Sequence, residues 1–196
     1  MTNQIATRIR IGEVRFCYCH VFEPDKGLNP NGDAKYNVTM LIDKTDKALI
    51  DKINAAIEAA HQQGITGVFK GNDRGWTSPL HDGDADRAGE PFYEGLCYLK
   101  ASTKFKPDVV KPGRVNGQNA AVPISNEDEF YAGCYGYAVV NFFAYNSAGN
   151  KGVSASLISV FKTKDGEPFT GGSNANEDYG DLANNLGDLP FGDDVE

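Results

Sequence analysis

The residues of this chain best suited to chemistry are rings and cations that alternate along one short segment. In residues 96–105 a period of two places Tyr98, Lys100, Ser102 and Lys104 on one side, with Lys106 just beyond. Cys97, Leu99, Ala101, Thr103 and Phe105 share the other side, which reads as core. Amines along an extended strand neutralise phosphates and release their counterions, and exposed rings between them stack on unpaired bases for roughly 1–3 kcal/mol each. A solvated strand whose lysines serve solubility has the same pattern, so this segment leaves both readings open.

A second segment repeats the theme. Between residues 134 and 145, Tyr135, Tyr137, Val139, Asn141, Phe143 and Tyr145 share one face, while Gly136, Ala138, Val140, Phe142 and Ala144 share the other. Either the small face packs beneath a helix and the rings meet a ligand, or the rings are core. The phenols of Tyr135 and Tyr137 favour exposure, because a buried hydroxyl needs a partner. Arg10, Lys35 and Lys151 are further cationic candidates, followed by Arg8, Lys111, Arg114, Lys162 and Lys164. Residues 106–118 read as a basic loop able to clamp a strand. The single tryptophan, Trp76, falls in residues 64–95, a loop-like stretch rich in Gly, Asp and Pro that is long enough to close over a bound strand.

The competing chemistry is metal-dependent hydrolysis. His81, Asp82, Asp84 and Asp86 are donors of the type that hold a divalent cation for phosphodiester cleavage. They lie in one polar loop, with no second group of acids on a strand to complete a site, and without the glutamate that closes a calcium loop. No P-loop, G-x-S-x-G or HExxH motif occurs in the chain. The expectation is a binding protein without cofactor or metal. A nuclease built on His81–Asp86 and an assembly protein that ignores DNA are the alternatives.

The elements that must position these residues are mostly strands. Residues 5–22 alternate, with an irregularity at Gly12, and residues 34–42, 96–105, 134–145 and 152–163 supply four more strands. The last two are joined by a hairpin loop at 146–151. One helix is expected over 46–63, capped by Thr45 and ended by Gly64, with Leu49, Ile53, Ile57 and Ala60 as its packing stripe. Five strands and one packing helix imply a mainly β fold, a small closed barrel or a sandwich, with the five-stranded OB-fold barrel among the candidates.

The 196 residues suit one domain, 40% of them hydrophobic, enough for a core. The net charge of −8 looks hostile to nucleic acid, but it is unevenly placed. Residues 173–196 hold seven of the 27 acids and none of the 19 bases, so residues 1–172 are nearly neutral with 20 acids against 19 bases. The expected organisation is a binding domain over 1–172 and a disordered acidic tail over 173–196. Such a tail mimics a polyanion and competes for a basic groove. It also carries apolar anchors, among them Leu182, Leu186 and Leu189-Pro190-Phe191. Four cysteines fall short of a disulfide framework, and Cys17 and Cys19 lack zinc-finger spacing, so all four read as reduced packing residues. No apolar run is long enough to span a membrane and no signal segment is evident, which points to the cytoplasm.

Several stretches resemble a phage protein family of OB-fold single-stranded-DNA-binding proteins. They are VFEP from Val21, KYNVTMLI from Lys35, HDGD from His81, FYAGCYG from Phe130, GNKG from Gly149 and DGEP from Asp165. The resemblance runs in order across some 150 residues. It implies sequence-tolerant binding of single-stranded DNA in phage replication, recombination and repair. Asp188-Leu189-Pro190-Phe191 is similar to the Asp-Ile-Pro-Phe ending through which bacterial single-stranded-DNA-binding proteins recruit replication and repair partners. Here Gly192, Asp193, Asp194, Val195 and Glu196 follow the phenylalanine, so a pocket reading a terminal carboxylate would not accept this ending unchanged.

Overall fold

The architecture follows from one long strand with repeated breaks in register. The computed structural model describes residues 6–27, 32–147 and 149–169. Strand β1 (Arg8–Asp25) breaks register between Ile11 and Val14, between Cys17 and His20, and between His20 and Asp25. Each irregularity adds twist. As a result, the first half of β1 pairs with β7 (Tyr135–Ser147) and the second half with β2 (Lys35–Asp43).

After β2 comes α1 (Lys47–Thr66), then a short β3 (Leu80–Asp82), a single turn α2 (Gly83–Asp86) and β4 (Leu96–Thr103). A hairpin of β5 (Asp108–Val115) and β6 (Gln118–Pro123) precedes β7 and β8 (Asn150–Lys164). The sheet order is β3-β4-β2-β1-β7-β8-β5-β6, and parallel pairing of Ala101 with Ala155 and Ser102 with Ser156 joins β4 to β8. The strands β1-β2-β4-β8-β7 thereby close into a five-stranded barrel of OB type. Its centre is filled by Ile11, Phe16, Val38, Met40, Leu99 and Val140, each inaccessible to solvent.

The expected stripe Leu49, Ile53, Ile57 and Ala60 is the buried face of α1. The helix ends differ from expectation. Asp46 is the cap, its carboxylate accepting from Leu49 N at 3.0 Å, while the Thr45 hydroxyl donates to Asp43. Gly64 does not end the helix but packs within it against β7. A Cβ there would lie 2.5 Å from that of Ala144, so the position needs a residue without one.

Residues 106–118 are not a loop. Most of them form β5, which pairs with β8 in parallel over 108–110 and with β6 over 110–115. The turn is Asn116-Gly117, both at positive φ, as a two-residue hairpin requires. Phe105, expected in the core, is 83% exposed, because β4 ends at Thr103 and the alternation stops there. Residues 170–196, with Asp188, Leu189, Pro190, Phe191, Asp193 and Asp194, lie outside the described residues.

Candidate nucleic-acid interface

The outward face of β4 is decided by its neighbours. Leu99 and Ala101 are fully buried, so Tyr98, Lys100 and Ser102 point away from the core, as alternation predicts. Opposite them on β2 stand Leu41, Thr39 and Asn37, and opposite Thr39 and Asn37 on β1 stand Cys17 and His20. Three adjacent strands therefore build one front face.

One half of that face is open and cationic. Lys35, Asn37, Lys100 and Ser102 line a groove of about 380 Å³, with Asp25, Lys26 and Asp33 on the β1–β2 side. Lys104 pairs with Asp33 across the groove's end, and this hydrogen bond holds the Asp33 carboxyl below its usual range. Lys35, Lys100 and Lys106 have no ion-pair partner among the described residues.

The other half is covered. The segment after α2 lays Tyr93 over Cys17 and Leu41, leaving the tyrosine 1% exposed. Tyr98 meets Tyr93 edge-on with centroids 5.2 Å apart, and His81 stacks on Tyr98 at 4.9 Å. Phe169 closes the rim against Phe92 at 5.5 Å, with the Arg15 guanidinium 3.9 Å over its ring. Arg15 also donates to the carbonyls of Gly133 and Glu167, strapping residues 165–169 to the barrel.

The rear face is different. Gly136, Ala138, Val140 and Phe142 are buried, so Tyr135, Tyr137 and the partly exposed Phe143 point outward from β7. The two tyrosine rings already have cations. The Arg10 guanidinium lies 5.7 Å from the Tyr137 centroid, and the Lys164 amine lies 4.8 Å from that of Tyr135. Arg10, Val110, Tyr137, Val139, Ser159 and Phe161 line a groove of about 450 Å³ beside the β5–β6 hairpin.

The remaining predicted residues form a third group, at the β7–β8 hairpin. Trp76 stacks on His61 of α1 with centroids 4.1 Å apart, and the Tyr145 hydroxyl is 3.2 Å from that of Thr77. The Lys151 amine donates to the carbonyl of Asn72 at 2.8 Å. Together these contacts pin residues 67–79 to the barrel end, and no contact takes Trp76 to the front face. In the closed barrel β8 separates β4 from β7 on one side, and β2 and β1 separate them on the other, so the front and rear groups do not share a groove.

A family model described as Enterobacter phage Enc34, ssDNA-binding protein, matches residues 7–189. The chain belongs to this family. A protein named p50 of Acyrthosiphon pisum secondary endosymbiont phage 1 is 33% identical over 183 residues, covering 90% of this chain and 94% of its own. The structure of the single-stranded DNA-binding protein from bacteriophage Enc34 in complex with ssDNA superposes with a TM-score of 0.69 at 29% identity, covering 83% of this chain and 89% of that one. Gp2.5, a single-stranded DNA-binding protein encoded by bacteriophage T7, shares the fold at a TM-score of 0.52 and 18% identity, covering 96% and 98% of the two chains.

Within this Enc34-type barrel, sequence reasoning overlooked Tyr18. It sits in the second irregularity of β1, between the positions facing Thr39 and Asn37, with φ of +49° and 47% of its surface exposed. A bulge re-aims a side chain, and a ring held outward at positive φ costs energy that packing does not return. Period-two alternation carries no signal for an inserted residue. Lys162, by contrast, is a structural cation, buried with its amine bonded to the Glu129 carbonyl and the Asp165 carboxylate.

The acids of the His81–Asp86 segment have structural partners. Lys44 bonds Asp82 and Asp84, and this holds both carboxyls below their usual range. Asp82 also caps α2 through Asp84 N at 2.9 Å, and Asp84 accepts from Gly95 N at 2.9 Å. Asp86 lies 3.0 Å from the His81 ring nitrogen. These contacts fold residues 80–95 onto the front face, and among the described residues no three His, Cys, Asp or Glu side chains converge as metal ligands do. The four cysteines are free thiols, and burial pushes that of Cys17 up to about 12.

Proposed function

We propose that this chain binds single-stranded DNA with little regard to sequence, across the front face of the barrel. In this role it protects and organises the strand during phage DNA replication, recombination and repair in the host cytoplasm. The observation that carries the reading is the open groove, where Lys35 and Lys100 have no ion-pair partner among the described residues and stand beside the amide of Asn37 and the hydroxyl of Ser102. Solvated amines take phosphates, while the exposed Tyr18 offers its ring to bases. The Enc34 protein, whose barrel this one matches, was captured with ssDNA. No step in this function requires bond-breaking chemistry or a cofactor.

The tail acts as an internal competitor. Phe169, the last described residue, sits on the rim of the covered half of the front face, so the acids beyond it are tethered to the same face that carries the cationic groove and reach it at high effective concentration. Leu189, Pro190 and Phe191 offer the same tail to replication or recombination proteins.

The test is a fluorescence-anisotropy titration of labelled oligo-dT at two salt concentrations, with duplex of matched length as competitor. Binding that weakens with salt and resists the duplex supports the reading. A protein that ignores oligo-dT with its tail present and removed is not a DNA binder.

A further inference from the structure

Beyond the barrel face stands a ring that packing does not explain. Phe105 is 83% exposed, the most exposed of the large apolar side chains among the described residues. It lies two residues past the end of β4, between Lys104 and Lys106, both of them exposed. Its backbone is held, since Phe105 N donates to the Thr103 hydroxyl at 3.2 Å and Lys104 is tied to Asp33. Burying the ring would gain apolar contact, yet the turn holds it in water.

Immediately after it the surface is concave. Lys106 and Pro107 border a depression of about 390 Å³ with Phe22, Val109, Pro123 and Ile124, at the root of the β5–β6 hairpin. Asp108 and Glu127 also border it, so the depression suits the neutral body and polar edge of a base rather than a phosphate. The front groove, with Lys100 and Ser102, ends on the same strand that delivers Phe105.

We propose that Phe105, with the depression beside it, forms a base-stacking subsite outside the barrel. It prolongs the path of the strand from the front groove to the foot of the β5–β6 hairpin. Lys106 takes the phosphate that follows the stacked base, Lys104 stays tied to Asp33 and fixes the turn, and the depression receives the next base. The subsite rests on the single-strand-binding reading above and adds to it a residue that strand alternation assigns to the core.

The experiment compares wild type, Phe105→Ala and Phe105→Tyr on oligo-dT and on a strand of equal length carrying abasic sites. On oligo-dT, Phe105→Ala should bind about tenfold more weakly and Phe105→Tyr should match wild type. On the abasic strand all three should bind alike, because the phosphates remain and the rings of the bases are gone. Wild-type affinity for oligo-dT in Phe105→Ala overturns the subsite and leaves the binding function standing. An equal loss on both strands overturns it too, since Phe105 would then act without a base. If wild type itself does not bind oligo-dT, the function falls and the subsite with it.

Discussion

The front and rear faces of the barrel carry similar residues in different states. On the rear, the rings of Tyr135 and Tyr137 lie beneath cations from neighbouring strands, so each charge is used inside the protein. Lys164 is also paired to Glu13 at 3.0 Å. On the front, Lys35 and Lys100 face an open groove without such partners among the described residues, and Tyr18 is held outward at a strained backbone position. A cation already resting on a ring or a carboxylate must give up that contact to take a phosphate, whereas a solvated lysine gives up only water and counterions. The types of residue on a strand are therefore a poor guide to binding until their partners are known.

The largest contrast should appear in the cations. Lys35→Ala with Lys100→Ala should cost about 100-fold in affinity for oligo-dT at low salt. The logarithmic salt slope should flatten by about 1.4, two single-strand phosphate contacts' worth. Arg10→Ala should change affinity by less than about threefold. A rear substitution as damaging as the front pair would move the strand's path to the other side of the barrel.

Stability should divide the other way. Gly136 lies on β7 with no room for a Cβ, because the Phe161 carbonyl and the Lys162 backbone occupy that space. Gly136→Ala should cost about 2 kcal/mol in denaturant unfolding, by forcing two paired strands apart, while the folded fraction binds oligo-dT normally. Lost affinity in the folded protein would make the rear face part of the site. At the scale of a single contact, Tyr18→Ala should weaken oligo-dT binding about tenfold and Tyr137→Ala about twofold at most, both read by anisotropy. Equal effects would erase the distinction between a ring offered to solvent and one already covered.

How much of this was legible in the sequence depended on what period two can carry. Strands β2, β4, β7 and β8 and the stripe of α1 were readable, because apolar spacing records which side faces the core. The outward direction of Tyr98, Lys100, Tyr135 and Tyr137 was readable for the same reason. Which strands lie side by side was not, because alternation within a strand carries no information about its neighbours. The hairpin β5–β6 was hidden by Pro112 and its lysine and arginine neighbours, although Asn116-Gly117 is a hairpin turn signal. Phe105 was misplaced by extending alternation past the end of a strand, and Tyr18 was overlooked because an inserted residue shifts the period. Both errors fall where the regular backbone stops, and there the structure leaves rings exposed.

The smallest effect concerns the tail, and it tests whether the front face is the one that binds. Residues 173–196 carry seven acids and no base, and the chain reaches them from Phe169 on the front rim. A tethered polyanion competes with DNA only for cations within its reach, and its competition is screened as salt rises. Deleting Ser173–Glu196 should therefore tighten oligo-dT binding about fivefold at low salt and have little effect near 0.3 M, where the Debye length falls to about 6 Å. In the Lys35→Ala/Lys100→Ala background the same deletion should gain less, because the tail has lost the cations it occupied. A gain that persists undiminished in that background would mean that the tail and the strand meet elsewhere on the barrel.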